Sequence, residues 1–193
     1  MRENLSEQLA ERIHIGTVRR ICGLARADAV TREQLYGLMF CGESRVADNA
    51  AWVLTHFDRM ELRWLEGRRD ALAQEAMRTT SVTLCRLLLT LLDRLSRPAE
   101  VYPEFLDFCL SRIPLSGIPA GIRSLCIRLA YGQCRLYPEL MEELCGMLEL
   151  LEPDFLPPAV SHTRKKVLQD IFSFRRGRGP SQQKGARLSP SEI

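Results

Sequence analysis

The sequence predicts an all-α fold of stacked helical hairpins, and three observations carry that prediction. First, Val101-Tyr102-Pro103-Glu104-Phe105-Leu106 returns as Leu136-Tyr137-Pro138-Glu139-Leu140-Met141, 35 residues later. Each copy reads as a helix start, because proline suits the first turn and a following Glu favours the positive end of the helix dipole. Second, apolar residues recur at helical spacing along most of the chain, with no strand signal. Third, a recurrence near 35 residues is typical of repeated helix pairs that stack to share one core.

Taken in order, Asn4 to Ile13 reads as a leading helix, with Asn4 and Glu7 at capping-box-like spacing and Leu5, Leu9 and Ile13 on one face. A second short stripe follows Gly16, through Val18, Ile21, Cys22 and Leu24. Thr31-x-x-Gln34 fits a capping box opening a helix to Phe40, and Cys41-Gly42-Glu43-Ser44 is a tight turn. Arg45 to Phe57 places Val46, Ala50, Val53 and Phe57 at helical spacing, with alanines that admit a close neighbour. A helix over Leu62 to Met77 comes next, then a turn at Arg78 to Ser81 whose hydroxyl is a cap for the following helix. Ser81 to Leu95 is apolar nearly all round and is expected to be the most buried helix. Ser96-Arg97-Pro98 ends it.

The first Tyr-Pro-Glu helix runs to Ile113, and after Pro114, Gly117 and Pro119 a helix spans Ala120 to Arg135. The second Tyr-Pro-Glu helix reaches Glu152, where Pro153, Pro157 and Pro158 break it. A last helix is expected over Val160 to Phe174. Residues 175–193 are rich in Gly, Ser, Pro, Gln and basic residues without apolar periodicity, and read as a disordered basic tail. The expected domains are therefore 1–174 and 175–193.

Composition bounds the function. Up to Asp154 there are 19 basic and 22 acidic residues; from Phe155 on, 8 and 2, so the net charge of +3 arises entirely at the C-terminal end. Of the 27 basic residues 24 are Arg, spread along the whole chain, which reads as biased codon usage rather than phosphate recognition. The seven cysteines form no C-x-x-C pair and sit mostly in apolar runs. That pattern fits a reducing compartment and argues against a disulfide framework or a metal site. No secretory signal opens the sequence, and no apolar run is long enough to span a bilayer. The expected location is cytoplasmic, with no membrane partner and no cofactor.

Successive second helices can be laid over one another, with Val46, Val82 and Ile122 as equivalent positions, 36 and 40 residues apart. Asn49, Cys85 and Leu125 follow, then Val53, Leu89 and Leu129. Glu43-Ser44-Arg45-Val46 followed by Ala50-Ala51 resembles the inner helix of a HEAT repeat, a turn leading to a Val/Arg pair and then small residues. Gly121-Ile122-Arg123 and His162-Thr163-Arg164 echo the Arg element. The resemblance is to the HEAT/armadillo class, over roughly residues 28 to 174, and departs from it at Val82-Thr83, where Arg is expected. It implies a right-handed α-solenoid of about four hairpins whose second helices line a concave binding surface.

That resemblance makes Arg45, Asp48, Asn49, Arg86, Arg123 and Arg128 candidate partner-binding residues, with Trp52 as an aromatic anchor. It implies a non-enzymatic scaffold holding a protein or peptide in the groove. No H-E-x-x-H, G-x-S-x-G or P-loop motif occurs, and no catalytic residue is assigned. The alternative is nucleic-acid binding through Arg164, Lys165 and Lys166 and the tail residues Arg175, Arg176 and Arg178, which resemble an Arg/Gly segment. Some HEAT-like solenoids are DNA glycosylases with an Asp and aromatics in a basic cleft; Asp48, Trp52, Trp64 and Tyr131 are the residue types available here. The near-neutral body weighs against that, since DNA binding needs several phosphates neutralised.

Charge is also segregated. Phe108 to Pro138 carries Arg112, Arg123, Arg128 and Arg135 and no acid, whereas Glu139 to Asp154 carries six acids and no base. If Arg123 and Arg128 share the groove, they favour an acidic partner.

Overall fold

The computed structural model describes residues 4–177, with side chains through residue 174, and contains no strand among them. Its α-helices are α1 (Leu5–Ala10), α2 (Ile15–Ala27), α3 (Ala29–Leu38), α4 (Ser44–Leu54), α5 (Arg59–Leu62), α6 (Arg69–Arg78), α7 (Val82–Arg94), α8 (Pro103–Arg112), α9 (Ala120–Cys134), α10 (Pro138–Leu150) and α11 (Pro158–Gly177).

Local chemistry accounts for many of the boundaries. Pro103 and Pro138 occupy the first turns of α8 and α10, as the repeated phrase predicts. The Ser81 hydroxyl accepts the Leu84 N–H and caps α7. At α3 the cap is Asp28, which accepts the Val30 and Thr31 N–H groups, so the helix starts earlier than the Thr31 box predicts. The Thr31 hydroxyl itself donates to Asp28 at 2.6 Å. Gly42 closes the α3–α4 turn at φ +81°, a conformation that suits glycine.

The single helix expected over 62–77 is instead three segments: α5, a 3-10 stretch over Arg63–Arg68, and α6. Asp58 and Glu61 form a capping box that starts α5. The 3-10 stretch turns Trp64 onto α3, edge-on to Tyr36 at 5.7 Å between ring centres, with the Arg68 guanidinium 4.4 Å from the Trp64 ring centre.

The helices pack in two rows. α3 pairs with α4, α6 with α7, α8 with α9, and α10 with α11. The second members also pack successively, α4 on α7, α7 on α9 and α9 on α11, and form the inner row. Ahead of them α1 packs on α4 while α2 packs on α3, closing the N-terminal end of both rows.

The inner row repeats every 38 residues. Val46, Leu84, Ile122 and Val160 are all buried, and so are Val53, Leu91, Leu129 and Val167, and Phe57, Leu95, Gln133 and Ile171. This corrects the second unit of the sequence alignment: Val82 is 56% exposed on the first turn of α7, and Leu84 takes its place. Asn49 then corresponds to Leu87 rather than Cys85, and Val53 to Leu91 rather than Leu89. The fourth inner helix joins at the same spacing through Val160.

The most enclosed helix is α9, not α7: it packs on α7, α8, α10 and α11, and ten of its residues are buried, compared with seven of α7. α11 extends to Gly177, so Arg175 and Arg176 continue the helix backbone beyond the predicted boundary at 174. Arg178 and the rest of the predicted disordered tail lie outside the described residues.

Candidate partner-binding surface

Much of the arginine on the inner row is engaged by the protein's own helix ends. The last carbonyls of a helix have no intrahelical partner. Arg123, 3% exposed, donates from Nε to the Ile113 carbonyl at 2.9 Å, sealing the end of α8. Arg164 donates to Leu148 at 2.6 Å and to Glu149 at 3.4 Å, which does the same for α10. Arg94 bonds the Thr55 and Phe57 carbonyls beyond α4. Arg45 reaches Ala10 at 3.5 Å, and Asn49 donates to Leu9 at 2.8 Å and Glu11 at 3.1 Å at the end of α1.

These contacts bear on three of the candidates. Arg123 is no groove residue, because its side chain is enclosed between α8 and α9, and it does not share a surface with Arg128. Asn49 has both amide hydrogens committed to α1. Arg164, placed with the nucleic-acid candidates, likewise has its guanidinium on the end of α10.

The remaining candidates stay on the surface row. Asp48 accepts from the Ser81 hydroxyl at 3.1 Å. Burial pushes its carboxyl above the ordinary range, against the lowering effects of Ser81 and of the Arg86 charge. Trp52 is half-buried against the core, edge-on to His56 with ring centres 5.8 Å apart. Arg128 pairs with Asp93 of α7, both nitrogens involved standing 2.9 Å from the same carboxylate oxygen. Lys165 and Lys166 are exposed on α11.

Asp48, Trp52, Trp64 and Tyr131 are not assembled into one site. Trp64 lies against Tyr36, Asp48 faces Ser81, and Tyr131 lines a separate cleft.

That cleft, of ≈ 460 Å³, lies between α6, the end of α7 and its following loop, the start of α8, the second half of α9, and α11. Leu95, Phe105, Leu129 and Val167 give it apolar walls. Arg97, Glu100, Lys166 and Asp170 stand around it as charged side chains with no ion pair among the described residues, together with Arg69, Asp70 and the Asp93–Arg128 pair. The Tyr131 phenol is pushed up by burial; Arg135 and Arg97 counter this and Asp170 adds to it. The 38-residue spacing places Arg128 and Lys166 at equivalent positions, with Trp52 and Thr90 preceding them along the row. Among the residues of this cleft, Gln133, Gly132, Arg97 and Glu100 carried no signal in the sequence, since only the approach of α11 and the α7–α8 loop gathers them.

Among the described residues no group of His, Cys, Asp and Glu is placed to hold a metal ion, and no helix is long and apolar enough to cross a membrane.

The family described as the HEAT repeat domain matches residues 5–171, and the chain belongs to it. No curated protein and no solved structure matches the chain.

Proposed function

We propose that the chain is a non-enzymatic, cytoplasmic interaction scaffold, a right-handed solenoid of four hairpins that holds a protein or peptide along its inner helices. HEAT repeats commonly mediate protein interactions, and membership of that family supports the reading. The observation that carries it is the alternation of charge on the inner row. Asp48 stands beside Arg86, Asp93 beside Arg128, and Lys166 shares α11 with Asp170. A polyanion laid on this row meets the carboxylates of Asp48, Asp93 and Asp170 as well as the bases. A polypeptide of mixed charge meets complementary partners. Arg123 and Arg164 are turned onto helix-end carbonyls, which leaves fewer of their N–H groups for a phosphate.

The test is binding of the full chain, and of residues 1–177, to labelled single- and double-stranded nucleic acid over a salt series. A cut after Gly177 leaves α11 whole. The expected result is no tight binding by residues 1–177. Tight binding by them that falls steeply with salt overturns the scaffold reading in favour of nucleic-acid recognition.

A further inference from the structure

Two adjacent residues in the cleft have features that its walls do not explain. Gln133 is 4% exposed, and its Oε1 accepts the Tyr102 N–H at 2.8 Å. Only the oxygen of the amide can accept, so this bond fixes which way the amide points. Its Nε2 is then a buried donor without an acceptor among the described residues. Native interiors rarely leave such a group unpaired, because it has lost water and gained nothing in return.

The second feature is Gly132, inside α9 and on the cleft. Glycine weakens a helix relative to alanine. Its backbone is not in the left-handed region, and an added Cβ would meet no atom within 4 Å. The fold by itself therefore has no need of glycine there. At the equivalent positions of the other inner helices stand His56, Arg94 and Asp170. At this position the side chain is missing in α9 alone of the four inner helices, beside Tyr131 and the unpaired amide.

We propose that Tyr131-Gly132-Gln133 is the seat of an extended peptide of mixed charge. Its main chain passes over Gly132 too closely for a Cβ, and one of its carbonyls accepts from Gln133 Nε2. A carboxylate on one side of that carbonyl meets Arg97 or Lys166, and a cation on the other meets Glu100 or Asp170. The inference rests on the peptide-scaffold reading and locates it at one place on the row.

The test selects binders from a displayed random dodecapeptide library against the full chain, then measures the Kd of a synthetic, labelled winner by fluorescence anisotropy. The expected winners carry both a Lys or Arg and an Asp or Glu. Gly132→Ala is expected to raise Tm yet weaken the winner at least tenfold, a combination that damage to the fold cannot produce. Gln133→Glu keeps the acceptor for Tyr102 and removes the donor, and is expected to weaken binding as well. If Gly132→Ala and Gln133→Glu bind like the parent while Trp52→Ala or Arg86→Ala loses the peptide, the seat is overturned and the scaffold reading stands. A library that yields no binder overturns both.

Discussion

Arg123 and Ile113 are joined across ten residues of sequence by a buried bond in which the guanidinium closes the end of the helix before its own. The pairing turns a charged side chain near the start of α9 into a fastening between the two members of a hairpin. Replacing Arg123 with Ala leaves the Ile113 carbonyl without a partner in the interior. The expected loss is about 2 kcal/mol of unfolding free energy, read from urea denaturation with an unchanged m-value. Binding of a peptide to the inner row is expected to be unaffected once the comparison is made well below the midpoint. A variant as stable as the parent would show that the bond contributes nothing.

The Asp93–Arg128 pair is expected to behave differently, although Arg128 is only five residues from Arg123. Its side chains are 26% and 41% exposed, so water competes for both charges. A double-mutant cycle with Asp93→Ala and Arg128→Ala is expected to give a coupling of about 0.2–1 kcal/mol, declining in ~1 M salt. A larger, salt-resistant coupling would mean that the pair is sheltered in solution.

Asp48 carries a pH signature. Its folded carboxyl is raised by burial above its unfolded value, so its ionised form is less favoured in the folded chain. The group therefore supports folding below its unfolded pKa, and that support is lost as pH rises through the folded one. Asp48→Asn retains an oxygen for the Ser81 hydroxyl and is expected to be more stable than the parent at neutral pH. The advantage should shrink to nothing in acid, below the carboxylate range. Thermal unfolding of both chains across pH measures it, and an advantage independent of pH would assign it to another cause.

The thiols divide sharply in accessibility. Cys41 is exposed, whereas the other six cysteines are buried. Burial pushes Cys85 up to about 11 and Cys134 up to about 12. Cys109 is raised well above its ordinary value by its hydrogen bond with Cys126 and by burial. Thiolate is the reactive form, so iodoacetamide on the native chain is expected to label Cys41 first and the rest only on unfolding. Peptide mass mapping over time checks this; early labelling at Cys85 would indicate opening of α7 from α9.

The elements differ in how much of them could be read before folding. Pro103, Pro138 and Ser81 act within one turn of their own positions, so the starts of α8, α10 and α7 follow from local sequence. The phase of α7 does not. Val82-Thr83-Leu84-Cys85 offers apolar character on every side, and only contact with α4 and α9 decides that Leu84 faces inward and Val82 outward. The 35-residue recurrence also differs from the 38-residue spacing of the inner row, because α10 has 13 residues where α8 has 10.

The sequence by itself determined the class of this protein: helices in repeated pairs, bounded by prolines and hydroxyl caps, with thiols used as core residues. Those are consequences of periodicity and of bonds made within a few residues. Tertiary structure alone decided what the charged residues do. Arg123 and Arg128 are chemically identical and lie on one helix, yet one is sealed on Ile113 and the other is paired with Asp93 at the edge of a cleft. A side chain's environment is set by whichever helix end or loop arrives beside it, and that depends on how far neighbouring helices run before they turn. The same physics gathered Gly132 and Gln133 with Arg97 and Asp170, residues separated in the chain and brought together only by the packing of α9 against α7 and α11.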